Sequence, residues 1–337
     1  MNEAAVKPVV EAEALDEYLS LIRPYLEAPG VTEVCINDPG RVWTEGQDGW
    51  QEHAVPELDF QYCMQLAALV ANYDQQEIGV QSPRLSAMLP GGLRIQIAAP
   101  QVTEAGKIAM TIRRPMTGTR ELAQYVKDGT FNEYLWGKPK GLDKSWDVLE
   151  PIDRILCTAL EEGKFEQFIV EAVRAHKTIV VLGATGSGKT TFMKTMCSMI
   201  QADERIVTIE DVHELFLTQE NHVHLFYSST GRGTAKVTAS DLVIDCMRHK
   251  PDRILLAEVR GKESFDFLSV LDSGHAGSIT SLHAGNCAAG IERLTDLAKS
   301  HPDAAAYDPE DIKRKVLRTV DIMIHMGVGA VRDENDE

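Results

Sequence analysis

VVLGATGSGKTT, residues 180–191, combines a β-branched run with three glycines, a lysine and two threonines. Residues 178–181 predict a buried strand, and residues 192–200 predict a helix. Between them lies the spacing G-x-x-x-x-G-K-[ST], in which glycines let the backbone turn its N–H groups toward an anion. The alternative is a glycine-rich turn that precedes a lysine by chance. Such a turn would not require a strand before it and a helix after it. We therefore predict a nucleoside triphosphate site in this loop.

The chemistry of the loop assigns a part to each residue type. The helix N-terminus adds positive potential, the Lys189 ammonium contacts phosphates, and the Thr190 hydroxyl reaches a Mg²⁺ ion held between them. The predicted ligands are therefore a nucleoside triphosphate and Mg²⁺. The predicted nucleotide-binding residues of the loop are Gly183, Ala184, Thr185, Gly186, Ser187, Gly188, Lys189, Thr190 and Thr191.

The composition is that of a globular protein, and the length indicates two domains. The chain has 337 residues, of which 44% are hydrophobic and 25% charged. No apolar run approaches the roughly 18 residues that span a bilayer. The first residues are acidic and lack the apolar region of a signal peptide. We expect a cytoplasmic protein unless a partner tethers it.

The charge distribution argues against a protein that binds duplex DNA. The formal net charge is −17, and neither half of the chain shows the basic stripe of such a protein. No strong direct nucleic-acid binding is expected. The six cysteines contain no C-x-x-C pair, so no zinc knuckle or redox dithiol is indicated.

The hydrophobic patterns divide the chain into three parts. Residues 1–114 predict an α+β domain, and residues 115–150 predict an interdomain linker with one short helix near 121–127. From residue 151 to 337 strands and helices alternate, which predicts an α/β domain with a parallel sheet. The first domain is predicted to contain helices at 10–28 and 59–72, strands at 34–37, 41–45 and 50–55, a hairpin at 85–100 and a strand at 107–113.

Acidic residues follow two apolar strands, at the edge where an α/β sheet places its ligands. RIVTIED, residues 205–211, ends in Glu210 and Asp211, and PDRILLAE, residues 251–258, ends in Glu258. Such a carboxylate can orient Mg²⁺ or polarise the attacking water. Asp211 fits a helix N-cap equally well, and Glu214 remains open in the same way. The predicted metal-associated residues are Thr190, Glu210 and Glu258.

Histidines and arginines complete the set of candidates. His275 and His283 flank a small-residue strand in GHAGSITSLHAGN, residues 274–286, where a histidine can sense the γ-phosphate or bond the strand-end acids. Arginines neutralise a transferring phosphoryl group. Candidates lie on N-terminal strands (Arg94 and Arg113) and around the second acid (Arg248, Arg253 and Arg260).

Four of these stretches resemble a known family when they are taken together. GATGSGKTT, TIEDVHEL, PDRILLAEVRG and GHAGSITSLHAGN are similar to the Walker A, Asp box, Walker B and His box of the secretion-superfamily ATPases. VTEVCINDPGRVWTE, LPGGLRIQIAAP and TIRRP resemble the N-terminal domain of that family. Within it the chain looks most similar to the traffic ATPases of conjugation-type, type IV secretion systems, because the tetracysteine module of the type II enzymes is missing.

This resemblance implies a RecA-like C-terminal domain, a smaller N-terminal domain and a homohexameric ring. It implies that Lys189 holds phosphates, that Glu258 is the main catalytic acid with Glu210 assisting, and that His283 completes the γ-phosphate site. Arg94 and Arg113 match arginines that reach the nucleotide from the N-terminal domain, although Arg114 leaves that match uncertain by one position. The 115–150 segment matches a long linker, for which a simple flexible tether is the alternative.

The resemblance further implies an ATP-hydrolysing motor for pilus assembly or for export of DNA or protein. Its partners would be inner-membrane secretion-channel proteins and the coupling ATPases of the same system, and it would associate peripherally with the cytoplasmic face of the bacterial inner membrane. Alternatives are a type IV pilus assembly or retraction motor, a type II secretion-like ATPase, a DNA translocase and a non-hydrolysing nucleotide switch.

Overall fold

The computed structural model describes residues 9–46, 49–114, 119–137, 149–227 and 237–327, with side chains from residue 13 onward. The described residues form two compact units. The first contains residues 9–114, and the second contains the described residues from 119 onward. None of the helices in these ranges is long and apolar enough to cross a lipid bilayer.

The first unit packs its helices against an antiparallel sheet. Its six described strands follow the order β3-β2-β1-β6-β5-β4. Alternating side chains from these strands meet α3 in one apolar core. The helices are α1 (Val9–Leu19), α2 (Arg23–Leu26) and α3 (Phe60–Tyr73), and the strands are β1 (Glu33–Ile36), β2 (Arg41–Gly46), β3 (Gly49–Ala54), β4 (Arg84–Met88), β5 (Arg94–Ala98) and β6 (Ala109–Arg113).

The prediction of one continuous helix at 10–28 is wrong. The chain forms two helices instead, and α2 carries Pro24 in its first turn. Proline has no N–H group to continue a helix, so the break falls just before it. Leu15 on α1 and Ile22, seven residues later at the N-cap of α2, are both fully buried. The predicted helix at 59–72 is confirmed within one residue, with Asp59 as its N-cap.

The second unit is a parallel α/β layer structure. Its six described strands follow the order β12-β7-β11-β10-β8-β9, and every pairing is parallel. The strands are β7 (Ile179–Gly183), β8 (Ile206–Glu210), β9 (His222–Phe226), β10 (Arg253–Leu256), β11 (Ile279–Leu282) and β12 (Ile322–Met326), and the helices are α4 (Leu122–Lys127), α5 (Pro151–Glu161), α6 (Phe165–Arg174), α7 (Lys189–Cys197), α8 (Ala239–Cys246), α9 (Glu263–Asp272), α10 (Cys287–Lys299) and α11 (Pro309–Thr319).

The central strands of this sheet are buried on both faces, as apolar runs between helices should be. Every residue of β7, β8, β10 and β11 is buried. Helix-borne apolar side chains cover the two faces in two separate clusters. Because all four strands are parallel, their carboxyl ends gather at one edge, and the loops that follow them define the candidate site.

The predicted linker contains ordered structure of the second unit. The short helix expected near 121–127 is α4, and its Tyr125 is buried against the aromatic rings of Phe131 and Phe192. The Thr195 hydroxyl donates to the Arg120 carbonyl at 2.6 Å. Residues 119–137 therefore pack on α7, while residues 138–148 lie outside the described residues. The role of 115–150 as a linker stays a prediction.

Candidate nucleotide site

The loop after β7 has the backbone that its glycines predict. Gly183 has a φ of +151°, and Gly186 and Gly188 have φ values of +76° and +86°. A Cβ atom on Gly183 would lie 2.7 Å from the Met326 carbonyl oxygen and would also overlap the Ser187 hydroxyl. Only glycine fits that position. Ala184, Thr185 and Gly186 are exposed at the tip of the loop.

Helix α7 begins directly after this loop. Its N-cap is Gly188, and no side chain caps the helix there. The first N–H groups of a helix have no intrahelical partner, so they are available to an anion. The Lys189 side chain is buried, and its Nζ donates to the carbonyl oxygens of Gly183 at 2.9 Å and Ala184 at 2.7 Å. The described residues thus fit a phosphate group at this loop.

Lys189 begins a chain of polar contacts that crosses the edge of the sheet. Its Nζ lies 3.3 Å from Nδ1 of His283, which follows β11. The other ring nitrogen, Nε2, lies 3.1 Å from Oε1 of Glu258, which follows β10. Hydrogen bonds beyond the strand ends hold Glu258 in place, because Val259 N donates to the Ser281 carbonyl at 2.9 Å. The loop, the histidine and the second acid therefore meet.

Arg260 and Asp211 extend the chain to the end of β8. Arg260 Nε donates to Glu258 Oε2 at 2.8 Å, and its Nη1 donates to Asp211 Oδ2. Burial by itself would lower the pKa of the Arg260 guanidinium, but the charges of Asp211 and Glu258 raise it above its ordinary value. The backbone N–H of Arg260 donates to Glu263 Oε1 at 2.6 Å, which fixes the loop. Arg260 stays charged and joins two acids.

Glu210 lies outside this chain of contacts. Its side chain is fully buried, and Oε2 accepts hydrogen bonds from the backbone N–H groups of Glu214 and Leu215, each at 2.8 Å. Oε1 accepts from Thr208 Oγ1 at 2.7 Å and lies 3.1 Å from His224 Nδ1. Burial alone would raise the pKa of Glu210, but these hydrogen bonds lower it. Its catalytic and metal roles stay predictions.

The remaining candidates of the second unit lie elsewhere. His275 precedes β11, at the strand end opposite to His283, so the two histidines do not flank one site. Arg253 is fully buried and bonds Glu204 and the Val173 carbonyl. Arg248 is exposed and pairs with Asp245 at 2.9 Å. Of the three arginines around the second acid, Arg260 alone joins the chain of contacts.

Arg94 and Arg113 face each other directly across β5 and β6 of the first unit. Side chains at such positions share one face of an antiparallel pair, where like charges repel. Arg113 is half-exposed, with Nε 3.8 Å from Glu33 Oε1. Arg114 donates to the Leu26 carbonyl at 3.4 Å, and the choice between Arg113 and Arg114 stays a prediction.

Sequence reasoning missed one group of residues at the end of β8. His213 and His224 lie beside Glu210, and the three can offer ligand atoms to a metal ion. The signal was present as E-x-x-H at 210–213 followed by H-x-H at 222–224. Neither spacing matches a zinc motif whose ligands lie on one helix. The three residues come together instead through the loop after β8 and the neighbouring parallel strand β9.

Comparison with known proteins places this architecture in a family. The family described as Type II/IV secretion system protein matches residues 152–320. The Type IV secretion system protein VirB11 of Brucella suis biovar 1 is 42% identical over 331 residues, which cover 97% of this chain and 89% of the relative. The chain belongs to this family. It is a traffic ATPase of the type IV secretion class.

Other relatives support the same placement of this traffic ATPase. The PtlH protein of the Bordetella pertussis type IV secretion system is 38% identical over 327 residues, covering 96% of this chain and 92% of the relative. The crystal structure of the Brucella suis VirB11 ATPase in complex with sulphate has a TM-score of 0.50 and covers 94% of this chain and 90% of that chain. The fold therefore comprises an N-terminal domain and a RecA-like ATPase domain.

More distant structures share only the fold of this traffic ATPase. The pilus retraction motor PilT with bound ADP has a TM-score of 0.55 at 17% identity, covering 91% of this chain and 77% of that chain. The Legionella pneumophila ATPase DotB has a TM-score of 0.53, also at 17% identity, and covers 96% of this chain and 78% of that chain. At such identity the likeness concerns the fold, while the family rests on the closer relatives.

Proposed function

We propose that this ATPase is a homohexameric motor that hydrolyses ATP for pilus assembly or for export of DNA or protein. Its partners would be inner-membrane channel proteins and the coupling ATPases of the same secretion system, met at the cytoplasmic face of the inner membrane. Family membership supports the secretion role. The observation that carries the hydrolytic proposal is the chain of contacts from Lys189 through His283, Glu258 and Arg260 to Asp211.

Binding of ATP would use groups that the loop already presents. The uncapped N-terminus of α7 offers backbone N–H groups, and Lys189 would exchange its carbonyl contacts for phosphate oxygens. Thr190, in the first turn of α7, would hold Mg²⁺, which supplies charge neutralisation between the phosphates. By the family resemblance, Arg94 and Arg113 would bind phosphate oxygens bidentately.

Hydrolysis would depend on His283 and Glu258, the next two residues in the chain of contacts that begins at Lys189. Glu258 is the acid joined to the loop lysine through His283, and it would orient the attacking water and accept its proton. His283 would report the γ-phosphate, because Lys189 cannot move without breaking its 3.3 Å contact with that ring. Arg260, charged and bound to both acids, would couple the ends of β8 and β10 to that event.

Two variants test this proposal by separating binding from chemistry. Lys189→Ala should weaken ATP binding and reduce turnover at least about a hundredfold, since it removes a phosphate contact. Glu258→Gln should keep ATP binding but lose a similar factor in turnover. Phosphate release and nucleotide binding are measured on the full chain, with circular dichroism as the folding control. Wild-type turnover in either variant contradicts the assigned site.

Ring formation is tested by sedimentation of the full chain with and without a non-hydrolysable ATP analogue. The proposal expects a species of six chains in the presence of the analogue. A chain that remains monomeric at every concentration with bound nucleotide contradicts the hexamer and leaves the ATPase assignment untouched.

A further inference from the structure

Glu210, His213 and His224 form a cluster outside the chain of contacts that begins at Lys189. One carboxylate oxygen and one nitrogen from each ring all lie within 4.8 Å of one another. The closest pair is Glu210 Oε1 and His224 Nδ1, at 3.1 Å. Donors that bind one first-row metal ion at about 2.1 Å lie about 3 Å apart, so this pair already has the spacing of two ligands.

His213 supplies the strongest sign that the cluster lacks a component. Its Nε2 is buried and has no hydrogen-bond partner in the described part of the chain. Buried polar atoms are nearly always satisfied, because leaving one unpaired costs free energy.

The other two ligands are held by hydrogen bonds around them. In the parallel pairing of β8 with β9, Thr208 lies opposite His224. Thr208 Oγ1 lies 2.7 Å from both His224 Nδ1 and Glu210 Oε1. The backbone N–H groups of Glu214 and Leu215 fix Glu210 Oε2. Outer contacts of this kind orient the ligands of metal centres.

We propose that Glu210, His213 and His224 bind a divalent transition-metal ion of the zinc class. Two imidazole nitrogens and one carboxylate are the donors that Zn²⁺ and Co²⁺ accept, whereas Mg²⁺ and Ca²⁺ prefer oxygen donors alone. Three protein ligands leave a further position for water. On binding, the ion would take the place of the hydrogen bond between His224 Nδ1 and Glu210 Oε1, and the neutral His224 ring would carry its one proton on Nε2 instead.

The ligands come from the end of β8, from the loop that follows it and from β9. The ion would therefore tie residues 211–221, which contain no helix or strand, to the edge of the sheet. Asp211, in the same loop, bonds Arg260. The inference goes beyond the proposed motor function, since this site holds its ion without nucleotide and serves to fix the loop.

The test uses the nucleotide-free full chain after removal of metals by a chelator. Co²⁺ is titrated while its visible absorption is followed, and Zn²⁺ and Mg²⁺ are then added as competitors. We expect one Co²⁺ per chain, displaced by Zn²⁺ and retained against Mg²⁺. His213→Gln and His224→Gln should each weaken Co²⁺ binding at least about tenfold, because loss of even an outer partner costs that much.

His222→Gln is the matched control. His222 lies on β9 beside His224, but its Nδ1 bonds the Gln219 carbonyl at 2.6 Å and it is not in the cluster. This variant should bind Co²⁺ as the wild type does. Lys189→Ala should also bind Co²⁺ normally, so a failure of the nucleotide proposal is distinguishable from a failure of this one.

A second measurement needs no variant and covers the case in which a glutamine variant does not fold. Zn²⁺ should protect His213 and His224 of the wild type from a histidine-modifying reagent, while exposed His249 reacts as before. Absence of stoichiometric Co²⁺ uptake by the wild type would overturn the proposal. Unchanged reactivity of His213 and His224 after the addition of Zn²⁺ would overturn it as well.

Discussion

At the scale of single residues, the candidate site is a series of basic and acidic side chains that contact one another. Glu258 uses one carboxylate oxygen for His283 and the other for Arg260. Its side chain is 18% exposed, whereas His283 and Arg260 are 49% and 43% exposed. Water reaches the two basic residues more easily than the acid between them. An arriving phosphate would therefore meet the exposed members first and change the contacts of Glu258.

The pair formed by Arg260 and Asp211 gives the first prediction at this scale. Arg260→Gln and Asp211→Asn should each lower ATP turnover, and the double variant should be no worse than the poorer single one. A coupling energy of about 0.5–3 kcal/mol is expected for two groups in one contact. Steady-state rates of the four proteins give this energy, with Arg248→Gln as an exposed control. Additive effects would contradict a shared role.

The choice between Glu210 and Asp211 shows where sequence reasoning ends at the residue scale. Successive side chains of a strand point to opposite faces, so two adjacent acids at a strand end have different neighbours. Glu210 contacts Thr208 and His224, while Asp211 contacts Arg260. The sequence places both acids at the correct edge of the sheet. It contains no information about which one meets Arg260, because β10 is distant along the chain.

At the scale of elements, apolar periodicity predicted most of the fold. Strands β7, β8, β10 and β11 are fully buried runs, and buried β-branched runs are recognised without knowledge of their partners. The helix at 10–28 was predicted as continuous because its apolar spacing continues across Pro24. The strand order could not be predicted in the same way, since it depends on how helices cover the sheet.

The loop between β7 and α7 gives a prediction about stability. Gly183→Ala should lower the free energy of unfolding by about 2 kcal/mol or more, because it combines a strained φ with overlap against the Met326 carbonyl. Gly186→Ala has a φ of +76° but open space around its Cβ, so it should cost only about 1 kcal/mol. Urea unfolding of both variants compares the two costs. Equal losses would contradict the overlap.

At the scale of the whole molecule, the two units carry different parts of the proposed mechanism. The second unit holds the loop and the strand-end acids, and the first holds the facing pair Arg94 and Arg113. The resemblance to the family is what connects the two sets. Within the first unit, Arg114 bonds the carbonyl of Leu26, which favours Arg113 as the candidate and leaves its role a prediction.

The first unit gives a prediction about its share in the nucleotide response. Arg113→Ala should raise the KM for ATP or lower turnover by about tenfold, while the unfolding midpoint changes little, because the side chain is half-exposed. Arg114→Ala should show the opposite pattern, with lower stability and a normal nucleotide response. ATPase kinetics and thermal unfolding of both variants decide this. Wild-type rate and affinity in Arg113→Ala would contradict the role.

The contact between β12 and the loop after β7 has a consequence for the design of labelled variants of this ATPase. Strand β12 pairs with β7 along its whole length, and Met326 lies opposite Gly183. Its carbonyl oxygen is the atom that a Cβ on Gly183 would meet. The NMR resonances of the backbone amides of residues 325–327 are therefore expected to shift when a phosphate binds in the loop. A fluorophore attached to β12 would for the same reason act on the loop that it is meant to observe.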